Sequence, residues 1–271
     1  INRVNNGSEI TAADSAKMRY WPAEWVMKQL DWLVSHGITT IRFSDEMFFF
    51  DKRHYLPLLM AIKERYGDSL DLWCYARVDT VRPHHLELFR SAGVKWICLG
   101  IESGDQTVRR EVAKGSYQNV NVREIVQEIH AAGIEIIANY IFGLPHDTHE
   151  TMQATLDLSI ELNTSMWNGY ACMAIPGTQL YQEAKRKGTS LPDSYSGYGF
   201  LSYDCLPMPT ETLSAADVLR FRDDAFRTYW TQPAFLSKIE SKYGVEAREN
   251  VEELTKIKLR RKILGDSPIE E

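Results

Sequence analysis

Cysteine is scarce in this sequence: Cys74, Cys98, Cys172 and Cys205 are scattered, with no Cys-x-x-Cys pair and no zinc-like spacing. Three of the four fall in apolar, strand-like runs, where cysteine acts as a small hydrophobe, so they read as buried free thiols and no metal ligand is assigned. Long apolar runs are missing too; none approaches the roughly 18 residues that span a bilayer, and no charged-then-apolar signal opens the chain. A membrane span is excluded, and a cytoplasmic protein is expected. Positive charge is in deficit, with 31 basic against 37 acidic residues and a net charge of −6. No basic face appears, so nucleic acid and anionic membranes are excluded as partners. An initiator is also lacking, since the chain opens at Ile1 and its first methionine is Met18, and it reads as a fragment or a processed product.

What is present is an ordinary globular composition in which helical and β-rich stretches alternate. After a polar start with a turn signal at Asn5-Asn6-Gly7-Ser8, Pro22 opens a helix to about Ser35. Later helices are predicted from the Asp51 cap to Arg65, from Pro83 to Ala92, near Asp105 to Ala113, from the Asn121 cap to Ala132, from Thr148 to about Leu162, and from Gln179 to Lys187. Between them lie five predicted strands: Ile38–Ser44, Leu70–Val78, Lys95–Ile101, Ile134–Phe142 and Ser165–Ile175. The recurring helix–Gly–strand joint at Gly37, Gly93 and Gly133 fits parallel βαβ units.

Strand parity refines the class. Leu72, Cys74 and Ala76 alternate with Tyr75, Arg77 and Asp79; Ile97, Leu99 and Ile101 oppose Gly100 and Glu102; Ala138 and Tyr140 oppose Asn139; Asn168 and Tyr170 share a side. A doubly wound sheet would be apolar at both parities, whereas a barrel wall turns one parity to a lumen. The pattern favours a barrel, and barrel enzymes keep their chemistry at the strand C-termini. Residues 1–190 form the predicted α/β barrel. Residues 191–271 form a loop to Pro209 and a helical extension whose last helix is predicted over Val245–Leu264. In that helix the run Lys256-Ile-Lys-Leu-Arg-Arg-Lys follows four glutamates and reads as a solvated face.

Each apolar run ends in residues that carry chemistry. Glu46 and Glu102 are the sharpest, because a carboxylate at a strand end can hold an amine or ribose hydroxyls. The alternative, equally open, pairs them with Arg77 or Arg42 as structural ion pairs. Gly143-Leu144-Pro145 leaves backbone groups unobstructed for a base, or is an ordinary βα turn. The histidines lack partners at ligand spacing and receive no metal or acid–base role.

Taken in order, Phe-Ser-Asp-Glu-Met-Phe-Phe-Phe-Asp (43–51), Tyr-Ala-Arg-Val-Asp (75–79), Gly-Ile-Glu-Ser-Gly (100–104), Asn-Tyr-Ile-Phe-Gly-Leu-Pro (139–145) and Pro-Gly-Thr-Gln-Leu-Tyr (176–181) resemble the radical S-adenosylmethionine (radical SAM) enzymes. The likeness is to the branch often fused to a cobalamin-binding domain, and it covers about residues 20–190. The resemblance implies an open (β/α)6 partial TIM-type barrel of which this chain holds strands two to six. It implies contacts of Ser44, Asp45 and Glu46 with the methionyl amine, of Glu102 and Ser103 with the ribose and methionine carboxylate, and of Gly143 and Leu144 with the adenine. Arg77 would face cofactor or substrate.

The family's CxxxCxxC loop, which holds a [4Fe–4S] cluster, is absent from the sequence. The expectation is that this loop and the first strand lie upstream of Ile1. The implied activity is reductive cleavage of S-adenosylmethionine to a 5′-deoxyadenosyl radical, leading to cobalamin-dependent methyl transfer or oxidative rearrangement of a small-molecule substrate. A flavodoxin or ferredoxin would supply electrons, and the fragment alone would be inactive. Two other readings stay open: a cluster-free binder of S-adenosylmethionine or another nucleoside, and a barrel hydrolase or lyase with Glu46 and Glu102 as an acid–base pair.

Overall fold

The computed structural model describes residues 19–112 and 120–268; the expected Asn5–Ser8 turn and the helix end at Ala113 lie outside them. Helix α1 (Ala23–Ser35) leads to strand β1 (Thr40–Arg42), and α2 (Lys52–Tyr66) to β2 (Asp71–Arg77). A 3₁₀ turn and α3 (Leu86–Ser91) precede β3 (Val94–Glu102). Helices α4 (Gln106–Val112) and α5 (Val122–Ala131) precede β4 (Glu135–Phe142), and α6 (His149–Leu162) precedes β5 (Met166–Ala171). Helices α7 (Gln179–Lys187), α8 (Ala215–Trp230), α9 (Pro233–Tyr243) and α10 (Val245–Lys256) follow.

The strands form one sheet in the order β1-β2-β3-β4-β5, parallel throughout, an open half-barrel as the parity predicted. On β2, Leu72, Cys74 and Ala76 are buried while Trp73, Tyr75 and Arg77 are half-buried; on β4, Ile136, Ala138 and Tyr140 are fully buried and Asn139 is not. One parity is sealed under helices, and the mixed parity lines the concave side. All four cysteines are free and buried.

The helices start where local chemistry supplies a cap. The Asp51 carboxylate accepts from Arg53 N–H at 3.0 Å, and α2 then buries Tyr55, Leu58, Leu59 and Ile62 at helical spacing. Asn121 caps α5 and Thr178 caps α7, and a Ser214–Asp217 capping box opens α8.

Two compact units emerge among the described residues: one of residues 20–140 and 154–168, the other of 19, 141–153 and 169–268. In the second, a core of Val218, Leu219, Tyr229, Phe235 and Ile239 forms on α8 and α9, with the Tyr229 and Phe235 ring centroids 5.1 Å apart.

Three expectations are corrected. Strand β1 is three residues, not Ile38–Ser44, because among the described residues it lies at the sheet edge and pairs only with β2, and Ile38 stays exposed. Strand β5 stops at Ala171; Cys172 N–H still donates to Phe142 O at 2.8 Å, but β4 itself ends there. The last helix stops at Lys256, and the basic run is no solvated helical face. Arg261, fully buried, donates to both carboxylate oxygens of Asp223 at 2.8 and 2.9 Å and to the carbonyls of Ser202 and Phe200 at 2.8 and 2.9 Å. A buried guanidinium needs all its donors met, and that demand outweighs continuing the helix.

Candidate functional site

In the first unit, the strand ends of β1, β2 and β3 place the expected residues in three settings. After β1, Ser44, Asp45 and Glu46 form an exposed loop whose feet are fixed: Phe43 N–H donates to Trp73 O at 2.9 Å, and Phe48 N–H to Tyr75 O at 3.0 Å. The apolar run after Glu46 anchors the second foot, since Phe48 and Phe49 are buried and the Phe49 ring stacks on Phe89 at 4.2 Å. At the end of β2 the Arg77 guanidinium is committed to Asp79 through both carboxylate oxygens, with Nη2 to Oδ2 at 2.6 Å. Asp79 is buried, so this pair is a fixed strut. Neither Glu46 nor Glu102 forms an ion pair with Arg77 or Arg42, which sets that alternative aside.

The end of β3 is irregular. Gly100 pairs with Asn139 and Glu102 with Tyr140, so Ile101 is an extra residue, a β-bulge. Glu102 has φ of +67°, a left-handed conformation that costs a non-glycine residue on the order of 1–3 kcal/mol. Opposite the outward-facing Tyr140, ordinary pleating would turn Glu102 away from the concave side. The left-handed backbone aims it back: its Oε1 lies 2.6 Å from where a Cβ on Gly100 would stand. Gly100 is therefore the space the carboxylate occupies. That carboxylate accepts no hydrogen bond from any described residue. Burial pushes its pKa up to about 7, against the opposing positive charge of Arg77. A strained backbone holding a half-buried carboxylate that no described residue hydrogen-bonds, at a strand end, is the strongest functional signal in this unit.

Ser103, next along, is fully buried. Its Oγ accepts from Asp105 N–H at 3.1 Å and lies 3.2 Å from Thr155 Oγ1, which also accepts from Gly104 N–H at 2.8 Å. A side chain on Gly104 would meet Ala154 O at 2.4 Å, so α6 packs directly against this turn. Ser103 thus positions the turn that carries Glu102.

Two concave-side features escaped the sequence reading. Asn168 Nδ2 donates to Asn139 Oδ1 at 3.1 Å, linking β5 to β4 beside Gly100. Trp73 and Trp96 pair in register with centroids 5.1 Å apart, nearer the strand N-termini. Asparagines sharing the lumenal parity were the available signal.

In the second unit, the turn after β4 is built differently. The buried Asp147 carboxylate accepts from Gly143 N–H at 3.0 Å, Leu144 N–H at 2.9 Å and Thr151 Oγ1 at 2.7 Å. Gly143 has φ of +79°, and a Cβ there would meet Val218 Cγ1 at 2.4 Å. The backbone amides of this turn are therefore not the unobstructed groups the sequence suggested. An acidic residue three or four positions after a strand-end glycine was the missed clue.

No group of three or more His, Cys, Asp or Glu among the described residues is placed to hold a metal ion. Burial also pushes Cys98 up to about 11 and Cys172 to about 12, so these thiols stay protonated. No helix among the described residues is long and apolar enough to cross a membrane.

Comparisons with known proteins agree with this geometry. A hopanoid C-2 methylase of Rhodopseudomonas palustris is 30% identical over 175 residues, 63% of this chain and 33% of that protein. A tryptophan 2-C-methyltransferase of Streptomyces laurentii is 27% identical over 157 residues, 52% of this chain and 26% of that protein. Among solved structures, the radical S-adenosylmethionine methyltransferase TsrM of Kitasatospora setae, described with cobalamin and a [4Fe–4S] cluster bound, superposes with a TM-score of 0.59 at 20% identity. That match covers 68% of this chain and 37% of TsrM, and it shows the shared fold. The chain thus spans about a quarter to a third of these curated relatives. The family model of the Radical SAM superfamily matches residues 10–159, more than half of the chain, and the chain belongs to that superfamily.

Proposed function

We propose that this chain is the larger part of the catalytic barrel of a radical SAM methyltransferase acting on a small molecule. Residues 1–190 are the barrel portion and 191–271 its extension. The observation that carries the reading is Glu102, a mostly buried carboxylate on a left-handed backbone that no described residue satisfies. Binding S-adenosylmethionine there would supply the missing partners, because its ribose hydroxyls are donors and its sulfonium and amine are cationic. This fits S-adenosylmethionine, the group that supplies the transferable methyl and the adenosyl fragment. Glu102 would accept from the ribose, with Ser103 and Thr155 holding its turn. Glu46, with Ser44 and Asp45, would receive the methionyl amine on a loop whose two feet are fixed. Arg77, braced by Asp79, would set the local charge. The Gly143–Leu144 main chain is assigned to the adenine on the resemblance alone.

A [4Fe–4S] cluster does not fit the described residues, whose cysteines are dispersed and held protonated by burial. Cobalamin enters through TsrM, which is described with it bound; an electron donor of the flavodoxin or ferredoxin kind and a cytoplasmic setting rest on the family resemblance of the sequence. Family membership disfavours the paired-carboxylate hydrolase and the cluster-free binder.

The test is equilibrium binding of S-adenosylmethionine to the full chain and to Glu102→Gln and Glu46→Gln. Losses of about tenfold or more at both positions, roughly 1.4 kcal/mol each, are expected. Wild-type affinity in both variants would sink the assignment.

A further inference from the structure

A second concavity of the first unit lies on the rim beside the β1–α2 and β2–α3 connections. Its cavity is ≈ 510 Å³, within the range of small-molecule sites and far larger than a lone ion needs. Phe49 and Tyr55 give it a buried apolar wall, and Phe50 stands exposed at its lip.

The charges around it do not cancel. Arg53 is committed to Asp51, with Nη2 to Oδ2 at 2.7 Å, and Arg77 to Asp79. Lys52 and Arg82 line the same cavity with no carboxylate partner among the described residues. Two uncompensated cations thus converge on one concavity in a chain whose net charge is −6. Two histidines complete the wall. The Tyr55 hydroxyl and His85 Nδ1 share a hydrogen bond of 2.9 Å, which fixes that ring, and His84 packs edge-on against it at 4.1 Å between centroids. Burial lowers the His85 pKa, with the positive charges of His84, Lys52 and Arg82 adding to the effect. His85 therefore lines the wall as a group held by its hydrogen bond to Tyr55, and the permanent positive charges there are those of Lys52 and Arg82.

We infer that this pocket binds the phosphate group of a small phosphorylated molecule, with Lys52 and Arg82 holding the phosphate and Phe49 and Phe50 the organic portion. A point-charge ammonium and a forked guanidinium approach from separate connections, one at the start of α2 and one before α3. A tetrahedral oxyanion presents oxygens in both directions, whereas a planar carboxylate is matched by one guanidinium alone. Arg77 borders both this cavity and the charge environment of Glu102, so the pocket adjoins the strand-end edge.

The experiment is calorimetric titration of the full chain at low ionic strength with inorganic pyrophosphate and with glycerol 3-phosphate. Saturable one-to-one binding is expected for both, weakening with added salt. The double variant Lys52→Ala/Arg82→Ala should bind at least about tenfold more weakly. Lys63→Ala, an equal charge loss near the other end of α2, should bind like wild type, and Lys52→Arg/Arg82→Lys should recover most of the affinity. Absence of saturable binding in the wild type overturns the inference. So does a loss in Lys63→Ala equal to that in the double variant, or tighter binding of citrate than of pyrophosphate. The titration contains neither S-adenosylmethionine nor reductant, so its failure and that of the methyl-transfer reading are separate results.

Discussion

Two carboxylates, one buried and one half-buried, each at a strand end and in different units, show opposite uses of the same chemical group. Asp147 accepts two backbone N–H groups and the Thr151 hydroxyl. Glu102 accepts nothing from the described residues and sits on a strained backbone over Gly100. The first closes a turn. The second is left without a hydrogen-bond donor among the described residues, and S-adenosylmethionine is its proposed partner. The count of hydrogen-bond partners separates their roles.

The largest test of this contrast is Asp147→Ala. It strands two amides and a hydroxyl in a buried turn and should destabilise by about 3–5 kcal/mol, read as a large fall in the denaturation midpoint. A change under about 1 kcal/mol would erase the contrast. The next concerns Glu102 and pH. Its folded pKa, about 7, lies above the ordinary glutamate value of 4.5, so the folded chain binds a proton that the unfolded chain releases. The stability it contributes is fully present below about 4.5 and is lost as pH rises through about 7, on the order of 3 kcal/mol in all. Glu102→Gln should flatten the stability profile across that window; an unchanged slope would mean another group carries it. Smallest is Gly100→Ala. The added Cβ displaces only the end of the Glu102 side chain, so about 1 kcal/mol of stability is expected to go, but S-adenosylmethionine affinity should fall well beyond that. Equal losses in both would make Gly100 a packing residue only.

The alternation of Leu72, Cys74 and Ala76 with Tyr75, Arg77 and Asp79 made the barrel wall legible, and Asp51 and Asn121 marked helix starts by their side chains alone. These are local rules, satisfied within a few residues. The bulge at Ile101 was not legible, because Gly-Ile-Glu reads as two more residues of a regular strand and only pairing with β4 reveals the extra one. Glu102 was singled out for its position, while what aims it depends on Gly100. Arg261 was misread because its partners, Phe200, Ser202 and Asp223, are remote in sequence. A charge run with nearby glutamates predicts a helix surface until a distant carboxylate claims one member of it.

That last contact has a consequence for the order in which the protein takes shape during synthesis. Arg261 holds the Phe200 carbonyl from 61 residues further along the chain. The 191–209 loop therefore cannot be clasped until translation has passed residue 261 and the arginine has left the ribosome. At ordinary elongation rates that leaves the loop unfastened for several seconds, on the order of 3–12 s. A nascent chain stalled short of residue 261 should be cut by protease within the loop, whereas the released protein should resist.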